Sequence, residues 1–192
     1  MVCACNAFTN ENGVITGHIT DGIGFVQNLE KHGVSVKNKK VVIFGAGSMA
    51  QILAQLFKAS NAEKVYMVAG KSSKLDLAAK YGIIPIEMNR NDYSVHENVL
   101  LKENPLGVDL IIDATGSTKV ISESMKLLKK GGTLLQYAIV HSGEKVEMDP
   151  VLMFNNELTY TASFCQSHNF GRAVDALASG IVDGDNLVTG EF

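Results

Sequence analysis

Cysteine is scarce in this chain: only Cys3, Cys5 and Cys165 occur among 192 residues. Three thiols so unevenly spaced exclude a disulfide framework and a four-ligand structural zinc site, so reduced cysteines and no zinc are expected. Long apolar runs are missing as well, and nothing approaches the ~20 residues that cross a bilayer. The first residues carry no basic stretch followed by an apolar signal core. These absences point to a cytoplasmic protein with no membrane partner. Charge of one sign is also lacking, since 17 Lys and Arg against 20 Asp and Glu leave a net charge of −3. The basic residues are dispersed, which gives no stripe for nucleic acid and no polybasic membrane patch.

What is present is enough apolar material for one substantial core, with 46% hydrophobic residues and a mean hydropathy of +0.10. One domain with a small appendage is the expectation. The most informative stretch runs from Lys39 to Leu56. Val41 to Phe44 form the short apolar run of a strand covered on both faces, and the spacing then turns helical at Met49, Ile52, Leu53 and Leu56. Between them lies Gly45-Ala46-Gly47-Ser48-Met49-Ala50, a G-x-G-x-x-A turn. Gly45 permits the tight turn, Gly47 lets backbone approach a pyrophosphate, and Ala50 lets helix and strand pack closely. The helix start at Ser48 and Met49 offers free N–H groups and a positive dipole end, so the turn is read as a dinucleotide cradle.

Upstream, Asn12-Gly13 supplies the positive φ angles of a hairpin between Val2–Thr9 and Val14–His18. Asp21 can cap a helix carrying Ile23, Val26 and Leu29, which Gly33 ends. Downstream, strands are expected at 40–44, 64–68, 83–87, 108–113, 133–139 and 158–164. Helices are expected at 48–60, 72–81, 93–103, 118–129 and 167–179. This alternation predicts the α/β class: a doubly wound, parallel, six-stranded Rossmann sheet with a small N-terminal β-hairpin. Residues 1–20 then form the hairpin, read as a remnant of a substrate domain, and 21–192 the dinucleotide-binding domain.

Two family resemblances overlap at the glycine turn. From about Ala46 to Phe192 the chain resembles the coenzyme domain of medium-chain zinc alcohol and polyol dehydrogenases of the sorbitol and threonine dehydrogenase group. The matching pieces are Lys74-Leu-Asp-Leu-Ala-Ala-Lys-Tyr-Gly82, Val108-Asp-Leu-Ile-Ile-Asp-Ala-Thr-Gly-Ser117, Leu127-Leu-Lys-Lys-Gly-Gly132 and Ala173-Val-Asp-Ala-Leu-Ala-Ser-Gly180. From Asn6 to Gly47 it resembles shikimate dehydrogenases, in Asn6-Ala-Phe-Thr-Asn-Glu-Asn-Gly13 and Thr20-Asp-Gly-Ile-Gly-Phe25. The first resemblance implies a dehydrogenase lineage, but its Gly-His-Glu zinc segment is not in this chain; Gly17-His18-Ile19 lacks the glutamate. The second implies that Asp21 stands at the catalytic aspartate and Asn6 at a substrate-binding asparagine. The lysine partner of that aspartate belongs before Met1, and Ile19 replaces the usual asparagine. The catalytic site is thus expected to be incomplete, and the chain is read as an NAD(P)-binding domain of oxidoreductase lineage. The alternatives are a small dehydrogenase acting on an alcohol, a polyol or a shikimate-like hydroxy acid, and a nucleotide-sensing module that moves no hydride.

Strand two ends at Ala69-Gly70, where an NAD-preferring fold places an acid for the ribose hydroxyls. Here Gly70-Lys71-Ser72-Ser73-Lys74 offers a lysine and hydroxyls that suit a 2′-phosphate, so NADP is expected ahead of NAD. A plain polar loop with Ser72 or Ser73 as helix cap would use the same residues. The dehydrogenase resemblance adds Lys74 at the adenosine ribose. It also puts Thr115, Gly116, Ala138 and Ile139 beside the nicotinamide ribose and ring. His141, Cys165 and His168 fall near the same strand ends without an assigned role. Strand 158–164 is expected at a sheet edge, where a homodimer could extend the sheet.

Overall fold

The computed structural model describes residues 7–18, 29, 33–164 and 170–187. Asn12 and Gly13 both take positive φ, 52° and 87°, and close an antiparallel hairpin of β1 (Ala7–Glu11) and β2 (Val14–His18). Those angles are what a two-residue turn between right-twisted strands requires. The hairpin leaves Phe8, Val14 and Ile15 exposed.

From Lys40 onward, strands alternate with helices. They are β3 (Lys40–Phe44), α1 (Ser48–Ala59), β4 (Lys64–Ala69), α2 (Ser73–Lys80), β5 (Ile84–Glu87), α3 (Ser94–Glu103), β6 (Val108–Asp113), α4 (Thr118–Ser124), β7 (Leu128–Gln136), α5 (Pro150–Asn156), β8 (Thr159–Ala162) and α6 (Phe170–Ala178). The sheet order is β5-β4-β3-β6-β7-β8, every pairing is parallel, and the direction of winding reverses between β3 and β6. The expected α/β class and doubly wound sheet are thus observed. Side chains of β3 alternate between two cores: Val41 and Ile43 pack with Leu53, Phe57, Val65 and Leu110, while Val42 and Phe44 pack with Tyr66, Leu100, Ile111 and Ile121. A strand buried on both faces needs apolar residues at every position, which is why the run is continuous.

Helix α1 is enclosed on more than one side. Ala50, Leu53, Ala54 and Phe57 face the sheet, and Ile52 and Leu56 meet Ala173, Ala176, Val182 and Leu187 of the C-terminal segment. Burying each of the larger side chains, Ile52, Leu53, Leu56, Phe57, Val182 and Leu187, stabilises the fold by roughly 1.5–3 kcal/mol.

Three expectations are corrected. The helix read over 118–129 ends at Ser124; a short 3-10 turn follows over Met125–Leu127, and Leu128 already opens β7. Leu128 pairs with Val108 and Thr133 with Leu110, so Lys129 to Gly132 form an irregularity that displaces the strand expected at 133–139 to Leu128–Gln136. Helix α5 is an element beyond those expected: Leu152 and Met153 pack against the core but none of its seven residues is fully buried, and Val151 and Phe154 are exposed, so its apolar residues show no clear helical period. Its signal was Asp149-Pro150, a cap followed by proline in the first turn. Asp149 accepts from the N–H groups of Val151 and Leu152 at 2.9 and 3.1 Å.

Candidate functional site

Parallel register sets the ends of five strands at one edge of the sheet. Phe44 pairs with Val68 and with Asp113, Asp113 with Gln136, and Gln136 with Ala162. Gly45, Gly70, Ala114 and Tyr137 therefore emerge side by side at the winding reversal, where open α/β sheets form their ligand crevice.

Gly45 has φ 114° and donates its N–H to Val68 O at 2.8 Å. A Cβ built there would lie 2.9 Å from Ala114 O, so the turn closes against the loop after β6 only with glycine. Gly47, at φ −66° and ψ 172°, is the N-cap of α1, and a Cβ on it would meet nothing within 4 Å. No side chain caps this helix and its first turn holds no acid. Its leading N–H groups and positive dipole end are left to the crevice. Ser48 is exposed beside them, Met49 is half-buried, and Ala50 is packed against the sheet.

The opposite wall consists of two loops joined at Asp113. Its carboxylate is fully buried and accepts from Thr115 N at 3.0 Å, Gly116 N at 3.1 Å and the Thr115 hydroxyl. Its carbonyl accepts from Tyr137 N at 2.9 Å and Ala138 N at 3.0 Å. Burial pushes the Asp113 carboxyl above its usual value, and the bonds from Thr115 and Gly116 counter only part of that rise. Gly116 has φ 68°, and a Cβ there would fall 2.4 Å from Ile139 O. Behind them the Tyr160 hydroxyl donates to Gln136 Oε1, and Gln136 Nε2 donates to Ala138 O at 3.1 Å. The structure therefore brings Gly45, Gly47, Thr115, Gly116, Ala138 and Ile139 around one crevice. Asp113, Gln136 and Tyr160 were not singled out from sequence. For Asp113 the signal was present, because an aspartate two residues before Thr115 and three before Gly116 has the spacing of a local side-chain turn.

Gly70 is half-buried after β4, and Lys71, Ser72 and Lys74 are exposed around the start of α2. Ser72 occupies the N-cap position with no side-chain capping bond, so its hydroxyl is not spent on the helix. Asn6, Asp21, Cys3, Cys5, Cys165 and His168 lie outside the described residues; His141 is exposed in the loop after β7. Among the described residues no group of three His, Cys, Asp or Glu could hold a metal ion. No helix among them is long and apolar enough to cross a membrane.

A cleft of about 200 Å³ lies at the other end of the sheet, lined by Val34, Lys39, Asp109, Lys129 and Thr133. Its charges are mutually satisfied. Asp109 meets Lys129 Nζ at 2.6 Å, Lys39 Nζ at 3.4 Å and Lys40 N at 2.9 Å. Burial raises its carboxyl, but the Lys129 bond, the Lys40 N–H and the two lysine charges outweigh burial and hold it below its usual value.

Comparison with known proteins agrees with this geometry. Residues 47–179 match the family model described as zinc-binding dehydrogenase. D-arabinitol dehydrogenase 1 of Uromyces fabae is 35% identical over 150 residues, 77% of this chain and 43% of that protein. A shikimate dehydrogenase (NADP(+)) of Lactococcus lactis is 32% identical over 123 residues, 60% of this chain and 41% of that protein. A Sinorhizobium meliloti protein assigned to the zinc-binding dehydrogenases and crystallised with NADP superposes with a TM-score of 0.77 at 23% identity, over 88% of this chain and 50% of that one. The chain thus spans half or less of the length of these relatives. By family model and by fold, the chain belongs to the zinc-binding dehydrogenase family and carries its NAD(P)-binding domain.

Proposed function

We propose that the crevice binds NADP in preference to NAD and serves the dinucleotide half of a cytoplasmic dehydrogenase acting on a small alcohol or hydroxy acid. The observation that carries this reading is the uncapped, acid-free start of α1 at the reversal of the sheet, opposite a wall fixed by Asp113. Gly45, Gly47, Ser48 and Met49 would hold the pyrophosphate, and Thr115, Gly116, Ala138 and Ile139 the nicotinamide side. When bound, the dinucleotide supplies the hydride acceptor or donor. Residues 21–192 form the dinucleotide unit in this reading, and residues 1–20 the remnant of a substrate domain. Asn6 and Asp21 are the substrate-facing pair by resemblance to shikimate dehydrogenases.

The NADP preference rests on Gly70, Lys71, Ser72 and Lys74 at the end of β4, where Ala69 stands in place of an acid. A lysine and a free hydroxyl favour a 2′-phosphate, which a carboxylate would repel. Titration with NADPH and NADH by cofactor fluorescence tests this directly. Tighter NADPH binding that reverses in the Lys71→Ala, Ala69→Asp double variant is the expected result. Equal affinities before and after the change would refute the assignment.

A homodimer through β8 belongs to the same proposal. β8 is the outer strand of the sheet, and Ile139, Val151, Phe154 and Phe164 are exposed on the elements around it. An unpaired strand edge flanked by apolar side chains favours pairing with a second copy. Sedimentation should give a dimer that Ala162→Pro, which removes an outward-facing N–H of β8, dissociates; a monomer at high concentration would overturn the pairing.

A further inference from the structure

Gln51 is 2% exposed in the second turn of α1, between the sheet and α2. Its backbone N–H donates to Gly47 O at 3.0 Å, and its side-chain Nε2 donates to Lys74 O at 2.7 Å while lying 3.4 Å from Met67 Sδ. One residue thus joins the glycine turn to the first turn of α2. Its Oε1 is buried and has no hydrogen-bond partner among the described residues. A methionine or leucine would fill the same volume without burying an unpaired oxygen, which is unfavourable. What the amide adds is the bond to the Lys74 carbonyl.

That bond bears on the site because Lys74 lies in the turn that presents Ser72 and the free N–H groups of α2. The Ser72 side chain does not cap the helix, so locally the turn is closed by the Leu75 N–H to Ser72 O bond at 3.0 Å, and the buried amide adds a hold from behind. We propose that Gln51 is a positioning residue that sets the preference for a 2′-phosphate over a free ribose hydroxyl by fixing the first turn of α2. This inference rests on the NADP reading above.

The test uses 2′,5′-ADP and 5′-AMP as probes, measured calorimetrically on wild type, Gln51→Met and Gln51→Leu. Both variants should bind 5′-AMP within about twofold of wild type, which also shows that they are folded. The ratio of 2′,5′-ADP to 5′-AMP affinity should fall about fivefold, the worth of one ordinary hydrogen bond. An unchanged ratio in either folded variant, or equal weakening of both probes, overturns the role of Gln51. A wild type that does not discriminate between the probes overturns the NADP assignment itself, and the role of Gln51 with it. The two failures are therefore distinguishable.

Discussion

The two glycines of the cradle should fail in opposite ways when each is replaced by alanine. At Gly45 a Cβ is placed at φ 114° and 2.9 Å from Ala114 O. Left-handed backbone costs an alanine about 1–2 kcal/mol, and forcing β3 from the loop after β6 adds about 1–3 kcal/mol. For a domain of this size each kcal/mol lowers Tm by about 2–4 °C, so Gly45→Ala should melt roughly 4–20 °C below wild type. At Gly47 the backbone is already compatible with alanine and no atom lies within 4 Å of the added methyl. The unfolded chain loses freedom, so Gly47→Ala should be unchanged or stabilised by up to about 1 kcal/mol. Its methyl, however, occupies the space before the α1 N–H groups, where the pyrophosphate would lie. NADPH affinity should fall about tenfold or more, the loss of one charge-assisted contact. Thermal melts and NADPH titrations of both variants decide the matter. A Gly47→Ala protein that melts early yet binds NADPH normally would refute the cradle geometry.

Two further outcomes follow from the packing. His96 is buried against Phe44 and Tyr93, and its Nδ1 has no hydrogen-bond partner among the described residues. Burial pushes its pKa below the ordinary imidazole value; Glu97 and Asp92 act upward and Lys126 downward. The unfolded chain therefore takes up the proton first, so this site's stability is complete above about pH 6.5 and is lost as pH falls below it. Tm should drop more between pH 7 and pH 5 in wild type than in His96→Phe, and parallel profiles would count against it. Asp149→Ala removes the cap of a seven-residue helix and should lower unfolding stability by about 1 kcal/mol, read by urea denaturation; no change would show that α5 is held by other contacts.

Much of the fold was legible because local chemistry and tertiary structure agree. The run Val41–Phe44 is apolar at every position because both faces of β3 are covered, and Asn12-Gly13 could turn a hairpin because both adopt positive φ. Gly45 and Ala50 announced the strand-to-helix turn by spacing, since a tight turn and close packing each demand a small residue. Other features had no local signature. The irregularity at Lys129–Gly132 depends on how β7 meets β6, and α5 lies half-exposed with only Leu152 and Met153 on the core.

The sequence by itself determined the alternation of strand and helix, the α/β class and the position of the glycine turn, because periodicity and steric demand are properties of neighbouring residues. Tertiary structure alone decided what those residues meet. It placed Gly116 against the Ile139 carbonyl, made Asp113 the joint between two loops, and carried the Gln51 amide across 23 positions to Lys74. These contacts join segments whose separation along the chain carries no period, and only the packing of the parallel sheet and its helices brings them together.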